Sequence, residues 1–333
     1  MPLRKDPLDA FVAVLVPVLA AAPATYLADL RADLQRRGIQ RAVRRRDTAA
    51  LFDWITTLAA EQGIANRNAL GFIDRHGNVG FRDIAADLNA QPACRRLTSY
   101  WAFTQCGYRK ATQTCAEPTL LPSCPLPKHE LRKGTLNQAA YSFFLLIRDV
   151  FEGDLVGWID SRLNAADPGE GVPGRSKAMR EAVLEPLTNV HGIGDKLWSM
   201  ILAELLLGGD PNRERWVATG ASMIPIDSLV HNLMVRTGTL RGAGAKHAYG
   251  PACYGPRGCA ELIQQVSERI DARRYHPGNP ATFPRFIQFA IWNFCSENGL
   301  DICNGRRIDD RRRCEQRACS AYPVCHRIAL IQR

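Results

Sequence analysis

Residues 187–207, LTNVHGIGDKLWSMILAELLL, constrain the fold more than any other stretch of the chain. A short apolar lead-in meets Gly192-Ile193-Gly194. From Asp195 to Leu207 there is then no Gly or Pro, and Leu, Ile, Met and Ala dominate. Paired glycines supply backbone shapes that other residues resist, so they mark a tight turn. The run behind them reads as a buried helix. With a helix starting near Ser176 in front, the unit is helix, Gly-x-Gly turn, helix. A turn of this kind sets free backbone N–H groups at a helix N-terminus, which is a ready site for an anion such as a phosphate.

Lys196 stands in the first turn of that helix, where the macrodipole disfavours a cation. An amine held neutral there is a nucleophile; alternatively, the side chain snorkels to solvent. A second stretch, IPIDSLVHNLMVRT over 224–237, places Asp227 behind an apolar tripeptide and at the start of a helix. A carboxylate in that position is an N-cap, a half-buried functional acid, or both.

Together, Gly192, Gly194, Lys196, Asp227, Arg236 and Thr237 give the chain a pattern that resembles the helix-hairpin-helix DNA glycosylase superfamily, in its endonuclease III-like branch. The resemblance implies an all-α protein of two lobes with the active site in the cleft between them. It implies that Lys196 is the Schiff-base nucleophile and Asp227 the essential carboxylate, and that Gly192 and Gly194 grip DNA phosphates. The implied activity is a DNA glycosylase with AP-lyase chemistry on a damaged or modified base in double-stranded DNA. Three departures stand out. The interval between Lys196 and Asp227 carries an insertion, LLGGDPNRERWVATGAS. Asp195 stands where the family commonly has a basic residue, and Leu229 where it often has His. They bear on the substrate more than on the fold.

The net charge of +10 over 333 residues suits a polyanionic partner. With 46% hydrophobic residues the chain can bury a core. It carries 11 cysteines. That odd number argues for a reducing, cytoplasmic setting (nucleoid-associated, if DNA is the partner) and for metal or cluster sites over a disulfide scaffold. The apolar run up to Ala22 faintly suggests a signal peptide, but Asp6, Asp9 and Pro17 interrupt it; it reads as a core helix, too short and broken to cross a membrane. A monomer is expected, with no membrane partner.

Arg36, Arg37, Arg41, Arg44, Arg45 and Arg46 form a basic cluster that is either a solvated surface or a patch for the DNA backbone. Gln62 ends a helix over 51–64. By resemblance it would enter the gap left by a flipped base; otherwise it is an ordinary surface residue. Cys94, Cys106, Cys115 and Cys124 are separated by eleven, eight and eight residues among several prolines and match no familiar metal spacing. This segment reads as an insertion in which a metal is not expected.

Cys303, Cys314, Cys319 and Cys325 close the chain, separated by ten, four and five residues. Four thiols in so short a span point to a metal or an iron–sulfur cluster. The resemblance implies a [4Fe-4S] cluster, because its last gap and its place behind an aromatic helix agree, although the first two gaps are longer; zinc is the alternative. Arg306, Arg307 and Arg311 lie inside this loop and would face phosphates. The expected division is 1–48 as N-terminal helices packing with the C-terminal lobe, 49–226 as a helical barrel with the insertion at 94–124 and the hairpin at 176–207, and 227–333 as a C-terminal lobe with the loop at 303–325. Two competing readings are a non-catalytic DNA-binding iron–sulfur protein that keeps the hairpin, and a metal-dependent nuclease using the Cys-rich insertion.

Overall fold

A computed structural model describes residues 6–60, 68, 71, 73–75, 79–128, 135–297, 299–303 and 308–331. Among these the regular structure is helical and no strand occurs; one isolated antiparallel bridge joins Arg109 and Thr114. The chain is all-α, as its patterning requires. No helix among the described residues is long and apolar enough to cross a membrane.

The chain divides into two compact units. One contains residues 1–31, 202–207 and 216–333; the other contains 32–201 and 208–215.

In the first unit the helix Pro284–Cys295 is central, because its buried residues come from every side: Phe286, Ile287, Ala290, Ile291, Phe294 and Cys295. An all-round apolar surface suits only a helix enclosed by others. Pro7–Ala20 packs on it with Phe11, Val14, Leu15, Val18 and Leu19, a helical i, i+3, i+4, i+7, i+8 stripe. This helix is N-capped by Asp6, whose Oδ1 accepts from Leu8 N at 2.9 Å. Burying each such Leu, Val or Phe contributes about 1.5–3 kcal/mol. Ser228–Arg236 and Cys259–Ser267 also pack on the central helix, and Tyr26 stacks on Phe289 with ring centres 4.1 Å apart.

In the second unit the central element is Thr135–Asp149, buried continuously from Leu136 to Ile147. Thr48–Ala60 and Phe81–Asn89 lie against it. Phe52 stacks on Phe143 at 5.5 Å, and Phe143 meets Trp198 of the hairpin helix at 5.1 Å. Arg175, at the start of the helix Arg175–Leu187, bonds Asp167 at 2.6 and 2.8 Å and Glu214 at 2.7 Å. Arg175 and Arg215 together hold the Asp167 carboxyl well below its ordinary range. These ion pairs fix residues 208–215 onto the loop before the hairpin.

The insertion at 206–222 contains a helix, Glu214–Ala221, that the sequence reading did not anticipate. Gly220 allows it: a Cβ there would stand 3.0 Å from Leu206 Cβ and from Leu207 N. A glycine that looks like a helix breaker is instead a point of close helix approach.

Candidate functional site

The hairpin forms as the glycines require. Arg175–Leu187 ends, Gly192 adopts φ +75°, and Asp195–Gly208 begins. The carbonyl of Gly194 accepts from Leu197 N at 3.0 Å and Trp198 N at 3.1 Å, closing the first turn. Gly194 itself is exposed, and a Cβ there would meet nothing within 4 Å. The hairpin is tied to the central helix of its unit by His191 N, which donates to Ser142 Oγ at 3.2 Å. Lys196 is half-buried in the first helical turn. A cavity of about 430 Å³ adjoins the turn, lined by Gly192, His191, Gln138, Arg109 and Lys110 among others. Burial pushes the His191 imidazole below its ordinary value, so it favours the neutral form there.

Asp227 belongs to the other unit. It N-caps Ser228–Arg236, with Oδ1 accepting from Val230 N at 2.9 Å, and it is half-buried behind the fully buried Ile224-Pro225-Ile226. Tyr254 Oη accepts from Ile226 N at 2.8 Å and fixes the approach to this cap. The exposed Tyr249 is close enough that the Asp227 charge, after burial, pushes its phenol up.

One turn along the same helix is His231, whose N–H donates to the Asp227 carbonyl at 3.1 Å. Its imidazole meets His247, Cys253 and Cys259, and the donor atoms of all four lie within 4.8 Å of one another. His231 Nδ1 is 3.6 Å from Cys253 Sγ and 3.5 Å from Cys259 Sγ; His247 Nε2 is 3.9 Å from Cys259 Sγ. A tetrahedral ion with metal–sulfur bonds of about 2.3 Å and metal–nitrogen bonds of about 2.0–2.1 Å sets S and N about 3.6 Å apart. The four residues can therefore hold a metal ion with little movement. His247 Nδ1 lies 3.0 Å from the Ala248 carbonyl and 3.9 Å from Cys253 Sγ, so the ring edge presents one nitrogen to each sulfur. The Cys253–Cys259 hydrogen bond, with His231, lowers the Cys253 thiol, and the same bond raises that of Cys259.

The sequence reading saw Cys253 and Cys259 only as thiols in a Gly-rich stretch and drew no site from them. The usable signal was Gly258 beside Cys259. A Cβ there would come within 2.6 Å of the Ala252 and Cys253 carbonyl oxygens, so only glycine lets the two cysteine backbones approach. Gly258→Ala is expected to destabilise the protein by about 1–3 kcal/mol and to speed metal loss to a chelator. Thermal unfolding and a chelator competition check both effects.

The C-terminal thiols are neighbours, but among the described residues the group whose donor atoms meet closely enough for an ion is His231, His247, Cys253 and Cys259. Cys319 and Cys325 each feel the charges of Cys303 and Cys314, and Cys303 shares a hydrogen bond with Cys295. Backbone N–H groups point at these sulfurs: Arg327 N at 3.3 Å from Cys325 Sγ, and the N–H groups of Ala321 and Tyr322 toward Cys319. Burial pushes the Cys325 thiol up to about 11. The loop is anchored on the end of the Asp227 helix. The fully buried Arg236 donates to Asp310 Oδ1 at 2.8 Å, and its carbonyl accepts from Ile328 N at 2.8 Å. Arg311 is exposed, its N–H bonded to Asp309. Gln62, Arg306 and Arg307 lie outside the described residues.

In the second unit, Arg37, Arg41 and Arg45 line one side of a cavity of about 450 Å³, with Trp54 among its other walls.

Compared with models of known protein families, with curated proteins and with solved structures, the chain matches none.

Proposed function

We propose that the protein is a DNA glycosylase with AP-lyase activity on double-stranded DNA. The observation that carries the reading is the hairpin: a glycine held at positive φ, an open second glycine, and a lysine in the first turn of the helix that follows. Further support comes from the chain path, in which the first 31 residues share a unit with the C-terminal segment while the middle of the chain forms the other. The exposed Arg311 and the Arg37–Arg41–Arg45 cavity supply the cations a DNA backbone requires.

In this reading the target nucleotide is flipped out, because its glycosidic bond is unreachable inside the stack. The Lys196 amine attacks C1′. The C1′–N bond breaks, and the base leaves with its electron pair and takes up a proton. Loss of the amine proton and opening of the sugar give the iminium. Removal of a C2′ proton then expels the 3′ phosphate and cuts the strand. By the resemblance, Asp227 would be the carboxylate that stabilises positive charge developing on the sugar. His231, His247, Cys253 and Cys259 would hold zinc. Four protein donors close a tetrahedron, so the ion would serve structure and offer no open position for water. Cys303, Cys314, Cys319 and Cys325 would hold a [4Fe-4S] cluster, with zinc as the alternative there. The group would cross-link a loop that Ile308 and Ala321 also tie to the core of its unit.

The test is release of a free base from duplexes carrying single lesions, assayed across oxidised, alkylated, deaminated and methylated bases. Release from none of them, with duplex binding intact, favours the non-catalytic binder. The hairpin has its own test. Gly194→Val adds a side chain where the protein itself offers no obstruction, so weakened duplex binding with unchanged stability would mark an approaching phosphate. Gly192→Val should in addition cost about 1–3 kcal/mol, because it forces a β-branched residue to positive φ.

A further inference from the structure

The insertion at 94–124 holds a set of thiols that neither the zinc site nor the C-terminal loop uses. Cys94, Cys106, Cys115 and Cys124 line one small cavity of about 40 Å³. Their charges act on one another: Cys106 feels Cys115 and Cys94, and Cys124 feels all three of the others. This juxtaposition is built by backbone. Arg109 N donates to the Thr114 carbonyl at 2.8 Å, and Thr114 N to the Arg109 carbonyl at 3.4 Å, closing a hairpin whose two ends carry Cys106 and Cys115. Gly107 lets those ends meet, since a Cβ there would stand 2.6 Å from Ala116 Cβ.

The same local bond recurs at three of the thiols. The N–H two residues on points at the sulfur: Tyr108 to Cys106, Glu117 to Cys115 at 3.4 Å, and Leu126 to Cys124. These N–H donors orient the sulfurs, while burial raises the thiols of Cys106 and Cys124. The pattern is shared by Cys319 and Cys325 of the C-terminal loop. Finally, from Arg109 to Ser123 no residue is buried. A segment of that length with no apolar anchor needs a cross-link to hold one conformation, and its sulfurs are the groups placed to supply it.

We propose that Cys94, Cys106, Cys115 and Cys124 bind a thiolate-ligated metal centre, either zinc or an iron–sulfur cluster. This centre is separate from the two described above and does not depend on the glycosylase reading. Binding forms four metal–sulfur bonds and releases the thiol protons to solvent. It would fix Arg109 and Lys110, which lie between its ligands, at the cavity beside the hairpin.

The experiment is elemental analysis of the full-length protein, purified without oxygen, against the Cys106→Ser/Cys115→Ser double variant. The expected result is a loss equal to one centre: about one zinc, or about four irons with the matching visible absorbance. Unchanged metal in the folded variant overturns the proposal. Should the variant fail to fold, alkylation of the native wild-type protein decides. Cys94, Cys106 and Cys115 are only partly buried and should resist iodoacetamide until the metal is stripped. Rapid alkylation at these positions with full metal content retained would refute the site.

Discussion

Cys259→Ser is expected to empty the His231–His247–Cys253–Cys259 site and to cost the protein about 3 kcal/mol or more, a large share of a typical folding stability. The loss has two parts. A serine hydroxyl is a poor substitute for a thiolate, so the binding energy that an ion would contribute is no longer available to the folded state. Cys259 is also fully buried at the start of Cys259–Ser267, and Cys253 beside it is equally buried, so the empty site leaves unsatisfied polar atoms in the core. The consequence should reach Asp227. His231 lies one turn along the helix that Asp227 caps, and the ion would pin that turn to the loop bearing Cys253. Zinc content and the melting temperature check the first effect. Base release checks the second and should fall even at temperatures where the variant stays folded.

Lys196→Ala is expected to abolish covalent trapping and to lower base release with strand cleavage about 10³-fold or more. Duplex affinity should change by less than about threefold, because one half-buried cation is a small part of a backbone-binding surface. Asp227→Asn separates two roles. Asn is as good an N-cap as Asp, so the bond to Val230 N survives and stability should move by less than about 0.5 kcal/mol. The charge is lost, and activity should fall with it. Full activity in Asp227→Asn would reduce Asp227 to a cap. Base release retained by Lys196→Ala, without strand cleavage, would mean that water and not the lysine displaces the base.

The parts of this molecule legible in its sequence are those set by local pattern. Gly192, Gly194 and the apolar run behind them announced the hairpin because a positive φ and a buried helix both leave local marks. Asp227 behind Ile-Pro-Ile announced a cap. The His231 site was not legible, because its four donors come from a helix, an irregular Gly-rich stretch and the start of another helix. The fold brings them together, and no single run of spacing does. The helix Glu214–Ala221 was missed for a related reason: its glycine serves a neighbour, Leu207, that sequence alone does not reveal. The N–H bonds to Cys106, Cys115 and Cys124 belong to the same class, since i+2 backbone donors leave no trace in residue identity.

The most direct test of the functional claim is borohydride reduction of the full-length protein during reaction with lesion-bearing duplexes, followed by peptide mapping of the adduct. The account predicts a covalent protein–DNA species with at least one lesion, with the sugar remnant on the peptide that contains Lys196. An adduct mapped to another lysine, or no adduct from protein that binds these duplexes and carries its full metal content, would contradict it.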